Sequence, residues 1–271
     1  MEEKNMYADK EFGSRDELYA FIRANKRALK AAKKAQVKHA DAVTMMSTAG
    51  LVAAKEDDGS DGRFSLSVVI NTTRILDGHG DVHIDGLWKK SLKEARYIPL
   101  LKSHSWDFES VITDDVKAKA ELMSWSSLGA KFDGDTQALV FDAEVDPTRN
   151  PFMAEQYRKG YVRNHSVGMQ YVTLYLAMNS DSKYDVEEKA NWDKYIKQVA
   201  NKEDAEAAGY FWAVTEAKIV EGSAVLFGSN PITPTLTVGP AKATPESDDN
   251  NEPPQGTHIN YESIKSLLIN F

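Results

Sequence analysis

His165-Ser166-Val167-Gly168-Met169-Gln170-Tyr171-Val172-Thr173-Leu174-Tyr175-Leu176-Ala177-Met178 is the stretch on which the reading of this chain turns, because from Val167 onward it reads as a strand. Working outward, residues 64–70, 139–145 and 211–227 read as strands too, with turns breaking the two long segments 167–178 and 211–227. Residues 87–95 and 151–159 read as helices between strands. The expectation is an α+β fold, a strand-rich domain with peripheral helices.

Ser166 opens that first strand, and a serine hydroxyl is a poor nucleophile at neutral pH until an imidazole takes its proton and a third group fixes the imidazole tautomer. Successive side chains of a strand point to opposite faces, so His165 is expected to face away from Ser166. That leaves His104, in Leu100-Leu101-Lys102-Ser103-His104-Ser105-Trp106, as the better base, and by the same rule Ser103 and Ser105 should face away from it. A glutamate follows in Ile219-Val220-Glu221-Gly222-Ser223-Ala224-Val225, and the order suggests a serine hydrolase. Spacing by itself favours a plainer reading, a half-buried histidine and an ordinary strand serine.

Whole blocks shift that balance. Ile75-Leu76-Asp77-Gly78-His79-Gly80-Asp81-Val82, Ile98-Pro99-Leu100-Leu101-Lys102-Ser103-His104, His165-Ser166-Val167-Gly168-Met169, and the run from Ile219 through Glu221 and Ser223 to Asn230 and Pro231 follow one another in order. Together they span about residues 64 to 235, and the chain there resembles the caudoviral prohead protease family, the capsid-maturation serine proteases of tailed phages, related in fold to the herpesvirus assemblins. The resemblance implies an assemblin-like β-barrel wrapped by helices. It places His104 at the general base, Ser166 at the nucleophile and Glu221 at the acidic residue that orients the base. Herpesvirus relatives use a second histidine in that third role, and Glu216, Asp142 and Glu144 stay open as alternatives here. Backbone amides of a turn at Ser166-Val167-Gly168 are the expected oxyanion donors. The implied activity is an endopeptidase that cleaves scaffold and other capsid proteins inside the immature prohead in the host cytoplasm, and then itself. Scaffold and major capsid proteins would be its substrates, the portal and a second copy of the chain its further contacts, and no cofactor is needed. A charged segment of about 180–209 lengthens the interval between Ser166 and Glu221 and reads as a surface insertion.

Composition sets outer bounds. The 271 residues suffice for one sizeable domain with appendages, and the absence of cysteine excludes disulfides, thiolate metal sites and a cysteine nucleophile. No apolar run approaches the roughly 20 residues of a membrane helix, and the Met-Glu-Glu-Lys start is unlike a signal peptide. A net charge of -8 argues against general nucleic-acid affinity. Three regions are expected: residues 1–58 with a basic helix started by Ser14, 59–239 as the protease domain, and 240–271 as an acidic Pro-rich linker ending in a short amphipathic segment. The basic helix could dock on an acidic partner, although a solvated face packed by Leu18, Ile22 and Leu29 is the commoner arrangement. Within the insertion, Trp192, Tyr195, Ile196 and Val199 are spaced as one amphipathic helix lying on the body.

Two rivals complete the reading. His79, Asp81 and His83 alternate, so on a strand they would share a face and could hold a divalent metal for a metal-dependent hydrolase; a polar turn with Asp81 bonding nearby amides is the preferred account, and no metal is expected. The other rival is a catalytically inactive capsid or scaffold component that kept the fold.

Overall fold

The computed structural model describes residues 12–35, 62–94 and 96–240, and the backbone of 37–38; the expected C-terminal linker and amphipathic end lie outside the described residues. In chain order the elements are α1 (Arg15–Ala35), β1 (Val37–Lys38), β2 (Phe64–Thr72), β3 (Asp81–His83), α2 (Lys89–Lys93), β4 (Leu100–Lys102), β5 (Val111–Thr113), β6 (Val116–Ser124), β7 (Asp135–Val145), α3 (Pro151–Arg158), β8 (Asn164–Met178), α4 (Val186–Tyr195), α5 (Lys202–Ala208), β9 (Tyr210–Val225) and β10 (Thr235–Pro240). The fold is α+β.

Two sheets carry it. One has the order β1-β8-β9-β4-β5, with β3 also pairing with β9; the other has the order β10-β2-β7-β6. Period-two alternation sorts their side chains. Val68, Ile70, Leu139 and Phe141 of β2 and β7 face Val167, Met169, Trp212 and Val214 of the first sheet in the main core, whereas Val69, Ala138 and Val140 join a second cluster around Trp125 and Leu128 on the other side. With both faces covered, Val68, Val69 and Ile70 are all buried, which is why the strand reads as a continuous apolar run. The expected barrel is not what forms: among the described residues no strand of one sheet pairs with a strand of the other, so the two sheets stay open and face each other.

The long strands also correct the sequence reading. β8 and β9 run 15 and 16 residues without the expected turns, pairing from Asn164↔Val225 to Met178↔Tyr210. Their irregularities are shifts of register, at Gly168/Met169 and around Thr173. This antiparallel pair therefore closes at Met178 and Tyr210, and the insertion caps that closed end, remote from Ser166 and Glu221. A longer interval in sequence leaves their relation across the pair untouched. Inside the insertion, the expected single helix is α4 followed by a 3-10 turn at Ile196–Gln198 and then α5; Trp192, Tyr195, Ile196 and Val199 are all buried, against Ala177, Phe211 and Ala213. The helix expected over 87–95 shrinks to α2, since Gly86 sits at φ 84 and the chain turns there, with the amide of Lys89 donating to Gly86 O.

Ser14 starts α1 as expected, its Oγ accepting from the amide of Glu17 (3.2 Å). The helix lies on the body through Tyr19 and Ile22, and several of its bases pair with acids of the body. Arg23 grips Asp185 (2.7 Å), Lys26 reaches Glu187 (3.1 Å) and Glu188 (2.5 Å), and Lys33 pairs with Asp81. Among the described residues no helix is long and apolar enough to cross a membrane.

Candidate active site

Three strands of the first sheet build the site. β8 and β9 pair so that Ser166 lies opposite Ser223 and Gly168 opposite Glu221, and residues directly opposite in a ladder share a face. β4 runs parallel to β9 on its other side, with Leu101 opposite Ser223 and Lys102 opposite Ala224. Gly222 shows which face is which: a Cβ there would lie 2.5 Å from Phe141 Cε2 and 2.9 Å from Ile70 Cδ1, so its side of β9 packs against the second sheet. Ser166, Glu221 and Ser223 leave from the opposite side.

His104 reaches that side through a reversal of the chain, not along a strand. β4 ends at Lys102, Ser103 and His104 both have positive φ (52 and 57), and the amide of Ser105 closes the turn on Lys102 O (3.1 Å). Two adjacent left-handed central residues are the pattern of a type I′ turn, unusual for residues other than Gly and Asn. Strand alternation therefore does not decide where Ser103 and Ser105 face, contrary to the expectation. The turn carries the imidazole back over β9, where Nδ1 lies 2.6 Å from Glu221 Oε1. A carboxylate only accepts, so the proton sits on Nδ1 and Nε2 is the acceptor nitrogen, the tautomer a general base requires.

Glu221 is fully buried, and Ser223 Oγ donates to its second oxygen, Oε2 (2.7 Å), while accepting from the His104 amide (3.0 Å). The other carboxylates named from sequence lie elsewhere: Glu216 accepts from Thr173 Oγ1 (3.2 Å), Asp142 accepts from Ser67 Oγ (2.8 Å) and pairs with Lys119 (2.7 Å), and Glu144 borders a hollow with Arg63 and Arg149. Ser166 is 6% exposed on the same face of the sheet, but no hydrogen bond joins its Oγ to His104. The structure thus places His104 against Glu221 directly and brings Ser166 alongside by register alone.

Gly168 has a purpose different from the expected one. Residues 166–168 lie inside β8, not in a turn, and a Cβ on Gly168 would fall 2.1 Å from Glu221 Oε1. The glycine is the space that the carboxylate fills. His165 does face the other way, into the main core, where Nδ1 donates to Thr233 O (3.0 Å), Nε2 accepts from Tyr157 OH (3.0 Å), and the two rings stack. Burial pushes its pKa down to about 4, so it is a neutral structural histidine.

No protein-family model matches the chain, and no curated protein or solved structure matches it either.

The residues of the metal rival have other work. Lys33 pairs with Asp81 and donates to His79 O (3.0 Å), so an ammonium already stands where a cation would. Tyr171 OH donates to Asp81 Oδ2 (2.9 Å) and lies 3.0 Å from His83 Nε2, and His83 Nδ1 faces Asn71 Nδ2 (3.2 Å). Beside them Asp77 Oδ1 accepts from the amides of His79 and Asp81 (both 2.9 Å), and burial together with the Asp81 charge pushes its pKa up to about 7. Among the described residues no three His, Asp or Glu side chains gather as a metal set.

Sequence reasoning missed Ser223 and Lys33. The signal for Ser223 was present, since residues two apart on a strand share a face, but nothing local showed that His104 would arrive there. Large apolar side chains rim the site end of the sheet: Trp106 and Phe108 follow the His104 turn, and Leu226 and Phe227 follow β9, all exposed.

Proposed function

We propose that the chain is a serine endopeptidase of the capsid-maturation kind, using Ser166, His104 and Glu221. The observation that carries this is the buried Glu221 carboxylate on His104 Nδ1, on the face of the sheet from which Ser166 projects. In this reading His104 Nε2 takes the Ser166 proton as Oγ attacks the peptide carbonyl, and returns it to the leaving amine; Glu221 holds the tautomer and stabilises the imidazolium. The contact between base and nucleophile forms when substrate binds, as catalytic hydrogen bonds commonly tighten only in the complex. The exposed apolar rim suits an extended peptide better than a small polar substrate. An assemblin-like ancestry of the fold, scaffold and major capsid proteins as substrates, contact with the portal, and action inside the prohead in the host cytoplasm belong to the same proposal.

A fluorophosphonate probe tests the chemistry without a known substrate. Ser166 Oγ bonds to phosphorus, fluoride leaves, and the hydroxyl proton passes to His104. Labelling should map to Ser166 by mass spectrometry and nearly vanish in Ser166→Ala and His104→Ala, because such residues act as a unit. Co-expression with its capsid and scaffold proteins should yield truncated products. Unchanged processing by Ser166→Ala sinks the assignment, and intact capsid and scaffold proteins beside the wild-type chain favour the inactive component.

A further inference from the structure

Ser223 stands outside the set of nucleophile, base and acid, yet its hydroxyl holds two members of it. Oγ donates to Glu221 Oε2 (2.7 Å) and accepts from the backbone N–H of His104 (3.0 Å), while Glu221 Oε1 accepts from His104 Nδ1 (2.6 Å). The three bonds form a circuit that enters His104 twice, once at its main chain and once at its ring. A hydroxyl has one hydrogen to give. Because a carboxylate oxygen only accepts, that hydrogen goes to Glu221 and leaves the lone pairs for the His104 amide. Ser223 is 0% exposed, so water does not compete for either bond, and with its hydrogen committed to Glu221 it is not itself the attacking hydroxyl.

Two otherwise soft features are fixed by this hydroxyl. One is the carboxylate rotamer, which without a bond to Oε2 could rotate away from Nδ1. The other is the His104 backbone, held at φ 57, a conformation that non-glycine residues adopt only when the surroundings over-determine it. We infer that Ser223 is a positioning residue that locks the His104 turn and the Glu221 carboxylate into one rigid unit. For its effect on catalysis this rests on the protease reading above; for the geometry it does not.

The test uses the full-length protein as wild type, Ser223→Ala and Ser223→Thr, with two readouts. In fluorophosphonate labelling, Ser223→Ala should lower the limiting rate roughly 10–100-fold with the half-saturating concentration within about twofold, since a misplaced base loses rate and not binding. Ser223→Thr, which keeps the hydroxyl, should restore most of the rate. In proton NMR, the His104 Nδ1–H bonded to Glu221 should give a low-field resonance in wild type and Ser223→Thr, and move upfield or vanish in Ser223→Ala at unchanged secondary structure by circular dichroism. Persistence of that resonance in Ser223→Ala overturns the inference whatever the labelling shows. Its loss there, with wild type failing to label at Ser166, leaves Ser223 in its positioning role and overturns the protease reading instead.

Discussion

A single missing methyl group shapes the candidate site. The Glu221 carboxylate occupies the space where a Cβ of residue 168 would stand, 2.1 Å from Oε1, and Glu221 is fully buried. Gly168→Ala should therefore push the carboxylate off His104 Nδ1 and lower fluorophosphonate labelling of Ser166 by at least roughly 100-fold, the scale on which a displacement of about 1 Å costs rate. Its backbone is not left-handed, so the strand itself tolerates alanine and the protein should still fold. Glu221→Gln keeps the volume but offers an amide to Nδ1, which favours the wrong tautomer; labelling should drop roughly 10³–10⁴-fold. Equal labelling in both variants and wild type, measured side by side, would remove Glu221 from the mechanism.

At the scale of elements, α1 is tied to the body by charges that its composition alone had offered to an external partner. Its Arg23 and Lys26 meet the acids that begin the insertion, and Lys33 reaches a fully buried Asp81 at the start of β3. Removing one member of a buried pair strands the other. Lys33→Met should cost about 3–5 kcal/mol in urea unfolding, and adding Asp81→Asn should return most of it, because an amide can still accept from Tyr171 without carrying charge. An additive double variant would mean that the pair contributes nothing as a pair. The antiparallel pair of β8 and β9 carries a second lesson: an insertion at its closed end lengthens the chain between Ser166 and Glu221 without moving one against the other.

Across the whole molecule two buried groups respond to pH in opposite directions. His165 is held neutral with its pKa down to about 4, so between pH 4 and 6.5 the unfolded chain binds a proton that the native protein refuses, and stability rises with pH by about 3 kcal/mol across that window. Asp77, pushed up to about 7, keeps a proton that the unfolded chain has released above its ordinary carboxylate pKa, so its contribution is present at low pH and is lost as pH rises through 7. Urea titrations from pH 4 to 8 should show the two trends offsetting in wild type; Asp77→Asn should steepen the rise with pH and His165→Asn should expose the fall. Identical pH profiles in all three proteins would contradict both assignments. The same opposition of local and distant causes marks what was legible beforehand. Alternating and continuous apolar runs determined the α+β class, the four main strand segments and the opposite facing of His165 and Ser166, because side-chain direction on a strand follows from backbone geometry alone. The absence of a closed barrel among the described residues, the unbroken course of β8 and β9, and the destination of Arg23, Lys26 and Lys33 came from tertiary pairing. So did the meeting of His104 with Glu221 and Ser223: it depends on a left-handed turn at Ser103 and His104 that no propensity favours, stabilised by partners more than a hundred residues further along the chain.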